Sequence, residues 1–356
     1  MNEAILVDPL SETTIIPVSI IVPTRNEEKY IVRCLNSLLS QDYQGICEIL
    51  VFDGKSQDRT REIVGEISKK HPVVRLMENP KIYKSGAMNA GISMAKGEII
   101  ICADTHALYE PDYVTQCVRH LQTTDAANVG GPLRLVIGKG VIEKAIGFCC
   151  LSRFGMGVAR FRHSRAEGYA DTVWPGAFWK SIFDEVGLFN EELPRCEDIV
   201  FNYRLRSAGH KIFLTPKIKS FYFPASTLRA FLRKAFSNGF SIGWSFLRWP
   251  RAFAPRHLIP LGYVATLLVV SILSLQMHWA RLLLAGVLML YLGLAILFSL
   301  PALRSYGLRV FGLMPIVFFA LHLQYGLGTL YGMARSLVWR RGRSLQPQEP
   351  SGNHGP

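Results

Sequence analysis

Between Asp198 and Glu349 the chain contains no aspartate or glutamate. Of its 27 acidic residues, 26 lie in residues 1–198, where 22 of the 40 Lys and Arg leave a net charge of −4; residues 199–356 carry 18 basic residues, one acid and a net charge of +17. A basic, acid-free segment suits nucleic acid or anionic lipid. Here it also contains long uncharged runs, which argues against nucleic acid and for anionic membrane lipid. Other absences narrow the chemistry further. No Gly-x-Gly-x-x-Gly and no complete Gly-x-x-x-x-Gly-Lys-Ser/Thr loop is present, so dinucleotide and P-loop binding are unsupported. The seven cysteines form no Cys-x-x-Cys pair and lie mostly in apolar runs, as buried thiols of a reducing compartment do. Met1-Asn2-Glu3-Ala4 lacks the basic and apolar regions of a signal peptide, so the first 198 residues are expected to stay in the cytosol.

What is abundant is hydrophobicity: 49% of residues, with a mean hydropathy of +0.19. Runs at 258–275, 282–300 and 308–330 each approach the ~20 residues that a helix needs to cross the hydrocarbon core. Two rules then conflict. Three full crossings would carry the tail out of the cytosol, whereas Arg335, Arg340, Arg341 and Arg343 favour the cytosolic side. Pro315 and the polar, glycine-rich stretch from His322 to Gly328 single out the third run, which is expected to be broken or re-entrant and to face protein or an acceptor channel. Before these runs, residues 226–256 interleave Arg and Lys with Phe and Trp, the composition of an interfacial helix on anionic lipid. After them, residues 336–356 form a basic tail expected to be disordered, rich in Pro, Gly and Gln from Gln346.

The acidic half alternates strand and helix patterns. Residues 17–22 read as a buried strand ending at Pro23-Thr24-Arg25-Asn26-Glu27, and a helix with apolar positions at 30/31, 34/35 and 38/39 follows. A second strand ends at Asp53-Gly54-Lys55-Ser56-Gln57-Asp58, and a third leads into the helix 85–95. A fourth, Glu98-Ile-Ile-Ile-Cys102, delivers Asp104 and His106 into the loop at its carboxyl end. This β-α-β-α-β-α-β order argues for a largely parallel, doubly wound sheet, with ligands at the carboxyl ends of its strands. On an extended chain Asp104 and His106 point the same way, and an oxygen with an imidazole suits Mn²⁺, with Mg²⁺ as the alternative. Glu27 and Asp53 end the first two strands, where a carboxylate commonly accepts hydrogen bonds from a ribose or base.

These residues resemble the membrane-anchored family 2 glycosyltransferases of GT-A fold, and most of all the succinoglycan-type glucosyltransferases of exopolysaccharide synthesis. The resemblance rests on Val18 to Glu27, Asp53 to Thr60, Gly86-Ala-Met-Asn-Ala-Gly91, Asp104-Thr-His106 in the place of Asp-x-Asp, Gly187-Leu-Phe-Asn-Glu191 and Glu197-Asp198. It covers roughly residues 17–225. It implies an α/β fold: a GT-A, nucleotide-diphospho-sugar transferase domain at 17–225 after an extension at 1–16, then interfacial helices at 226–256 and two or three transmembrane helices at 257–335. It further implies that Glu27, Asp53, Asn89 and Asp104 bind the sugar nucleotide and Asp104 and His106 the metal. Asp198, with Glu197 beside it, would be the catalytic base. A helix starting at Glu197 would favour the ionised carboxylate through its dipole.

The implied activity is inverting transfer of one sugar from a nucleotide-diphosphate sugar, UDP-sugar favoured, to a lipid-linked saccharide at the cytosolic face of the inner membrane. The Gln-x-x-Arg-Trp of processive synthases is absent, which favours single transfer over polymerisation. A polyprenyl-phosphate sugar transferase is the near alternative, and a catalytically silent membrane scaffold the alternative of another class. Trp174-Pro-Gly-Ala177 is a candidate for the acceptor side, and His163 with Arg160, Arg162 and Arg165 for phosphate contact.

Overall fold

The computed structural model describes residues 15–163, 166–193 and 195–344. Three βα units come first: β1 (Val18–Thr24) and α1 (Ile31–Leu39), β2 (Ile46–Asp53) and α2 (Thr60–Lys70), β3 (Val74–Glu78) and α3 (Lys84–Met94). They are followed by β4 (Ile99–Cys102), β5 (Ala107–Tyr109), α4 (Tyr113–Thr123), β6 (Ala126–Gly130) and β7 (Arg134–Leu135). Short elements continue the chain: α5 (Val141–Leu151), α6 (Arg153–Met156), α7 (Arg160–His163), β8 (Gly168–Tyr169), β9 (Ala177–Trp179) and α8 (Ile182–Val186). The sheet-bearing half ends with α9 (Glu197–Ser207), β10 (Lys211–Leu214) and β11 (Ser220–Tyr222).

Eight strands form one sheet in the order β3-β2-β1-β4-β9-β6-β10-β8, and β5, β11 and β7 form a second. The first four strands are parallel, β9 runs antiparallel between β4 and β6, and β8 is antiparallel to β10. β1 to β4 read as continuous apolar runs because both faces are covered. Ile20, Val22, Ile49, Val51, Ile99 and Ile101 pack with α1 and α4 on one side, while Ile21, Leu50, Phe52 and Ile100 pack with α3 on the other. β1 pairs with β2 on one edge and β4 on the other, so strand order reverses there. A crevice at such a switch point, outside the carboxyl ends of the strands, is where open α/β sheets bind ligands.

The second half is helical: α10 (Leu228–Phe246), α11 (Ile259–Ser274), α12 (His278–Tyr306) and α13 (Leu308–Ser344). Of these, α12 and α13 are long and apolar enough to cross a membrane, whereas α11, with 16 residues, rises only about 24 Å and falls short of the ~30 Å core. Leu282, Leu283, Met289, Leu290, Leu297 and many other apolar side chains of α11 and α12 are exposed, a surface that marks a membrane or partner face.

Two expectations are corrected here. The third run is neither broken nor re-entrant, because α13 continues unbroken through Pro315 to Ser344; the short run is the first. The basic tail is therefore helical from 336 to Ser344, and the rest of it, like residues 1–14, lies outside the described residues. The glycines of α13 are a contact surface. A Cβ at Gly328 or Gly332 would stand 2.2 Å from the carbonyl oxygens of Phe236 and Phe240, and one at Gly239 or Gly243 would stand 2.0 Å from those of Tyr325 and Thr329. Gly239 and Gly243 on α10 and Gly328 and Gly332 on α13 thus each press on the backbone of the other helix at four-residue spacing, which lets the two backbones touch.

Candidate active site

The loops at the carboxyl ends of β1 and β2 are stapled by the side chains of the sequence motifs. Asn26 N–H donates to Ser56 Oγ (2.9 Å), Glu27 N–H to Thr60 Oγ1 (2.8 Å) and Gln57 N–H to Asn26 Oδ1 (2.8 Å). Thr105 Oγ1 donates to Pro23 O (2.9 Å) and bonds Thr24 Oγ1 (3.0 Å), fixing the β4 loop to the end of β1. The non-glycine residues with positive φ among those described are Asn26, Lys55, Ile82 and Cys196, all in loops at this edge. A β-branched Ile at φ 69° and a Cys at φ 61° hold backbone strain of a kind that clusters at functional sites.

These loops border a cavity of about 1440 Å³. Glu27, Lys84, Asp104, His106, Glu197 and Asp198 line it together. Lys84, at the start of α3, is the hub: its Nζ lies 2.9 Å from Asp104 Oδ1 and 3.7 Å from Glu197 Oε1. Burial alone would lower the pKa of Lys84, but Asp104 and Glu197 outweigh it and raise that pKa, so the ammonium stays charged. Burial would likewise raise Asp104, yet Lys84, by its charge and its hydrogen bond, holds that carboxyl below the usual range. Glu197 and Asp198 go the other way. Burial pushes both upward, and Lys84 only partly offsets it. A carboxylate raised towards neutrality is suited to taking a proton.

His106 Nδ1 is 3.2 Å from Glu27 Oε1, and its ring meets Tyr222 edge-on at 4.8 Å. A carboxylate only accepts, so Nδ1 carries the hydrogen and Nε2 is left as the lone-pair nitrogen, the form that ligates metals. Among the described residues no three His, Cys, Asp or Glu side chains converge as a ready-made metal site. Asp104 and His106 nevertheless fit a Mn²⁺ or Mg²⁺ ion that takes its remaining ligands from a bound diphosphate, since such ions commonly keep only one or two protein donors.

Two residues assigned by resemblance are not at the cavity. Asp53 is 1% exposed, with Oδ2 held by Arg61 Nη1 (3.1 Å) and by Ser56 N–H (3.1 Å). Asn89 was expected at the cofactor, but its amide is consumed in fastening the 187–191 loop: Nδ2 donates to Phe189 O and Glu191 Oε1, and Oδ1 accepts from Phe189 N–H, each at 2.9 Å. Gly187 turns that loop at φ 80°, a conformation that favours glycine. Conversely, the sequence reading overlooked Lys84. Its signal was there: a lysine in the first turn of a helix opposes the dipole and calls for another partner. Trp174 does line the cavity, with its ring 5.2 Å from Tyr222.

Residues 19–172 match the profile of Glycosyl transferase family 2. A dolichyl N-acetyl-alpha-D-glucosaminyl phosphate 3-beta-D-2,3-diacetamido-2,3-dideoxy-beta-D-glucuronosyltransferase of Methanococcus voltae is 31% identical over 311 residues, covering 82% of this chain and 95% of the relative. The succinoglycan biosynthesis protein ExoA of Rhizobium meliloti is 27% identical over 270 residues, 75% of this chain and 81% of that one. Among solved structures, a Pyrobaculum calidifontis mannosyltransferase in complex with GDP-Man and Mn²⁺ superposes with a TM-score of 0.51 at 19% identity, covering 95% of this chain and 89% of that one, a likeness of fold. With the motif-bearing loops gathered at one sheet edge and a relative matched over nearly its whole length, the chain belongs to glycosyltransferase family 2.

Proposed function

We propose that the protein is an inverting, metal-dependent, non-processive glycosyltransferase that moves one sugar from a nucleotide-diphosphate sugar to a lipid-linked saccharide at the cytosolic face of the inner membrane. The observation that carries this reading is a single cavity holding Asp104, His106 and Glu27 on one side and Glu197 and Asp198 on the other, with Lys84 between them. Its support on the acceptor side is the Methanococcus voltae relative, whose name specifies a dolichyl phosphate-linked sugar, and the apolar length of α12 and α13.

Asp198 takes the proton of the acceptor hydroxyl. The hydroxyl oxygen forms its bond to the anomeric carbon from the face opposite the leaving group, and the bond from that carbon to the diphosphate oxygen breaks, its electron pair leaving with the diphosphate. Asp104 and His106 would hold a divalent ion, which would supply neutralising charge for the departing diphosphate. Glu27 orients His106 through Nδ1–H. Lys84 occupies the space between the two carboxylate sets and keeps Asp104 ionised. The retention of both sets argues against a silent scaffold.

The test is sugar transfer by detergent-solubilised protein across a panel of nucleotide sugars, with a lipid diphosphate-linked saccharide as acceptor and with Mn²⁺, Mg²⁺ or chelator. Divalent-dependent transfer from one donor, UDP-sugar first among them, is expected. Undiminished transfer in chelator would remove the metal from the reading, and absence of transfer from every donor would overturn the reading itself.

A further inference from the structure

The cavity exceeds the roughly 300–1,000 Å³ of a site for one small molecule. It runs from the carboxylate cluster past Arg162 and Lys234 to Tyr263 on α11, Tyr291 and Phe298 on α12 and Leu321 on α13. Two features of that second arm are unexplained by a sugar nucleotide. The first is charge. Lys84 and Arg256 have carboxylate partners in direct contact, Asp104 and Asp171, whereas the half-buried Arg162 and Lys234 have none in direct contact among the described residues and feel Asp198 and Asp104 only at longer range. Lys234 Nζ donates to Tyr222 Oη and lies 4.8 Å over that ring, whose other neighbours are His106 and Trp174. Arg162 lies over Phe161, at 4.9 Å, and burial lowers its pKa, an unfavourable setting for a cation with no anion in direct contact. An anion held by both would therefore lie one aromatic ring away from the proposed metal ligand.

The second feature is an aromatic slot. Tyr263 and Tyr291 stack at 4.6 Å, and Phe154 packs against Phe298 (5.2 Å) and Tyr291 (5.5 Å). His322 pins the slot's walls: its Nε2–H donates to Phe154 O (2.9 Å), so Nδ1 accepts the Tyr291 hydroxyl (2.8 Å). The slot continues onto helices whose outer faces are exposed and apolar. A ligand that satisfies both features is anionic at one end and hydrocarbon at the other. A soluble glycan has no hydrocarbon end to follow the slot onto those apolar helices.

We propose that Arg162 and Lys234 hold the phosphate of a lipid-phosphate-linked acceptor, whose hydrocarbon chain leaves the cavity through the slot between α11, α12 and α13. This rests on the reading of the protein as a transferase to lipid-linked acceptors and adds where that acceptor lies.

The experiment uses the full chain in nanodiscs, with a polyprenyl phosphate-linked monosaccharide as the acceptor probe and the corresponding free sugar phosphate as its lipid-free counterpart. Arg162→Gln and Lys234→Gln should each raise KM for the lipid-linked probe roughly 10- to 100-fold, the loss of one charge-assisted contact, with donor KM unchanged. Arg162→Lys should recover part of the loss. Leu321→Trp, which narrows the slot, should raise KM for the lipid-linked probe and leave that for the free sugar phosphate as it was. Unchanged acceptor KM in both charge variants, with wild-type transfer intact, would overturn this assignment alone. Equal use of the two probes by the wild type would overturn the slot. Failure of the wild type to use any lipid-linked acceptor, alongside transfer to a soluble one, would overturn the underlying reading. Unchanged donor affinity in the variants shows that they are folded.

Discussion

The two halves of this chain differ in where they use charge. In the sheet-bearing half carboxylates fasten elements together: Glu48 accepts from Ser19 Oγ and Lys96 N–H and pairs with Arg75, Asp53 pairs with Arg61, and Asp104 with Lys84. In the helical half, which has no carboxylate from 199 to 348, α10 and α13 meet glycine against backbone carbonyl, a contact the sheet-bearing half makes too, at Gly131 against Ile218 O. The cations of that half reach back for counter-ions, Arg248 to Glu192 (2.8 Å) and Arg256 to Asp171 (2.6 Å). Both pairs are partly solvated, so each contributes about 1 kcal/mol at most. Where water and charged substrates enter, partners are matched by charge. Against apolar surroundings, where burying an unpaired charge costs most, they are matched by shape.

The largest effect expected from breaking the ionic side of this comparison is that of Asp104→Ala, which should abolish transfer and divalent-dependent nucleotide binding. Isothermal titration with nucleotide, with and without Mn²⁺, separates this from unfolding, and normal Mn²⁺-stimulated activity would contradict the assignment. Asp198→Asn is nearly isosteric but cannot take a proton, so donor binding should persist while kcat falls roughly 10²- to 10⁴-fold. The same change should raise Tm slightly. The folded-state pKa of Asp198 is raised, which makes its charge at neutral pH a cost to the fold that asparagine lacks.

On the shape-matched side, Gly239→Leu would drive a side chain into the backbone at Tyr325. About 3 kcal/mol of destabilisation is expected, seen as a lower Tm of the detergent-solubilised protein and loss of contact between α10 and α13. An unchanged Tm would mean that the helices are not packed glycine to glycine.

The pH profile sharpens the comparison from the ionic side. On the proposed role of Asp198 as a base, which works deprotonated, kcat/KM should fall as pH drops through its raised pKa, at higher pH than for an ordinary carboxylate of about 4. Lys84 is the charge that lowers that pKa, so Lys84→Met should move the acid limb to higher pH still. A limb that stays put would detach Asp198 from Lys84. The mildest variant is His106→Asp, which swaps the proposed nitrogen donor for an oxygen and should keep part of the activity with a changed preference between Mn²⁺ and Mg²⁺. Complete loss would show that the imidazole and its bond to Glu27 are required.

The sequence by itself determined the alternation of strand and helix in the first half, because buried parallel strands are written as short apolar runs that end in loop residues. It also determined which loops border the cavity, since Glu27, Asp104, His106, Glu197 and Asp198 all follow an element boundary visible in the pattern. Only the tertiary structure decided which of the candidates meet. Asp53 and Asn89 have the right residue type at motif positions, yet Arg61 and the 187–191 loop claim them, and those partners lie far from Asn89 in sequence or on a helix face that no periodicity specifies. Lys84 looked like an ordinary lysine until α3, β4 and α9 converged around it. The same holds for Gly328 and Gly332. Glycine in an apolar run weakens a lone helix, so it reads as a break. Its use becomes visible only when a second helix brings its own glycines to the same face and the two backbones close to contact.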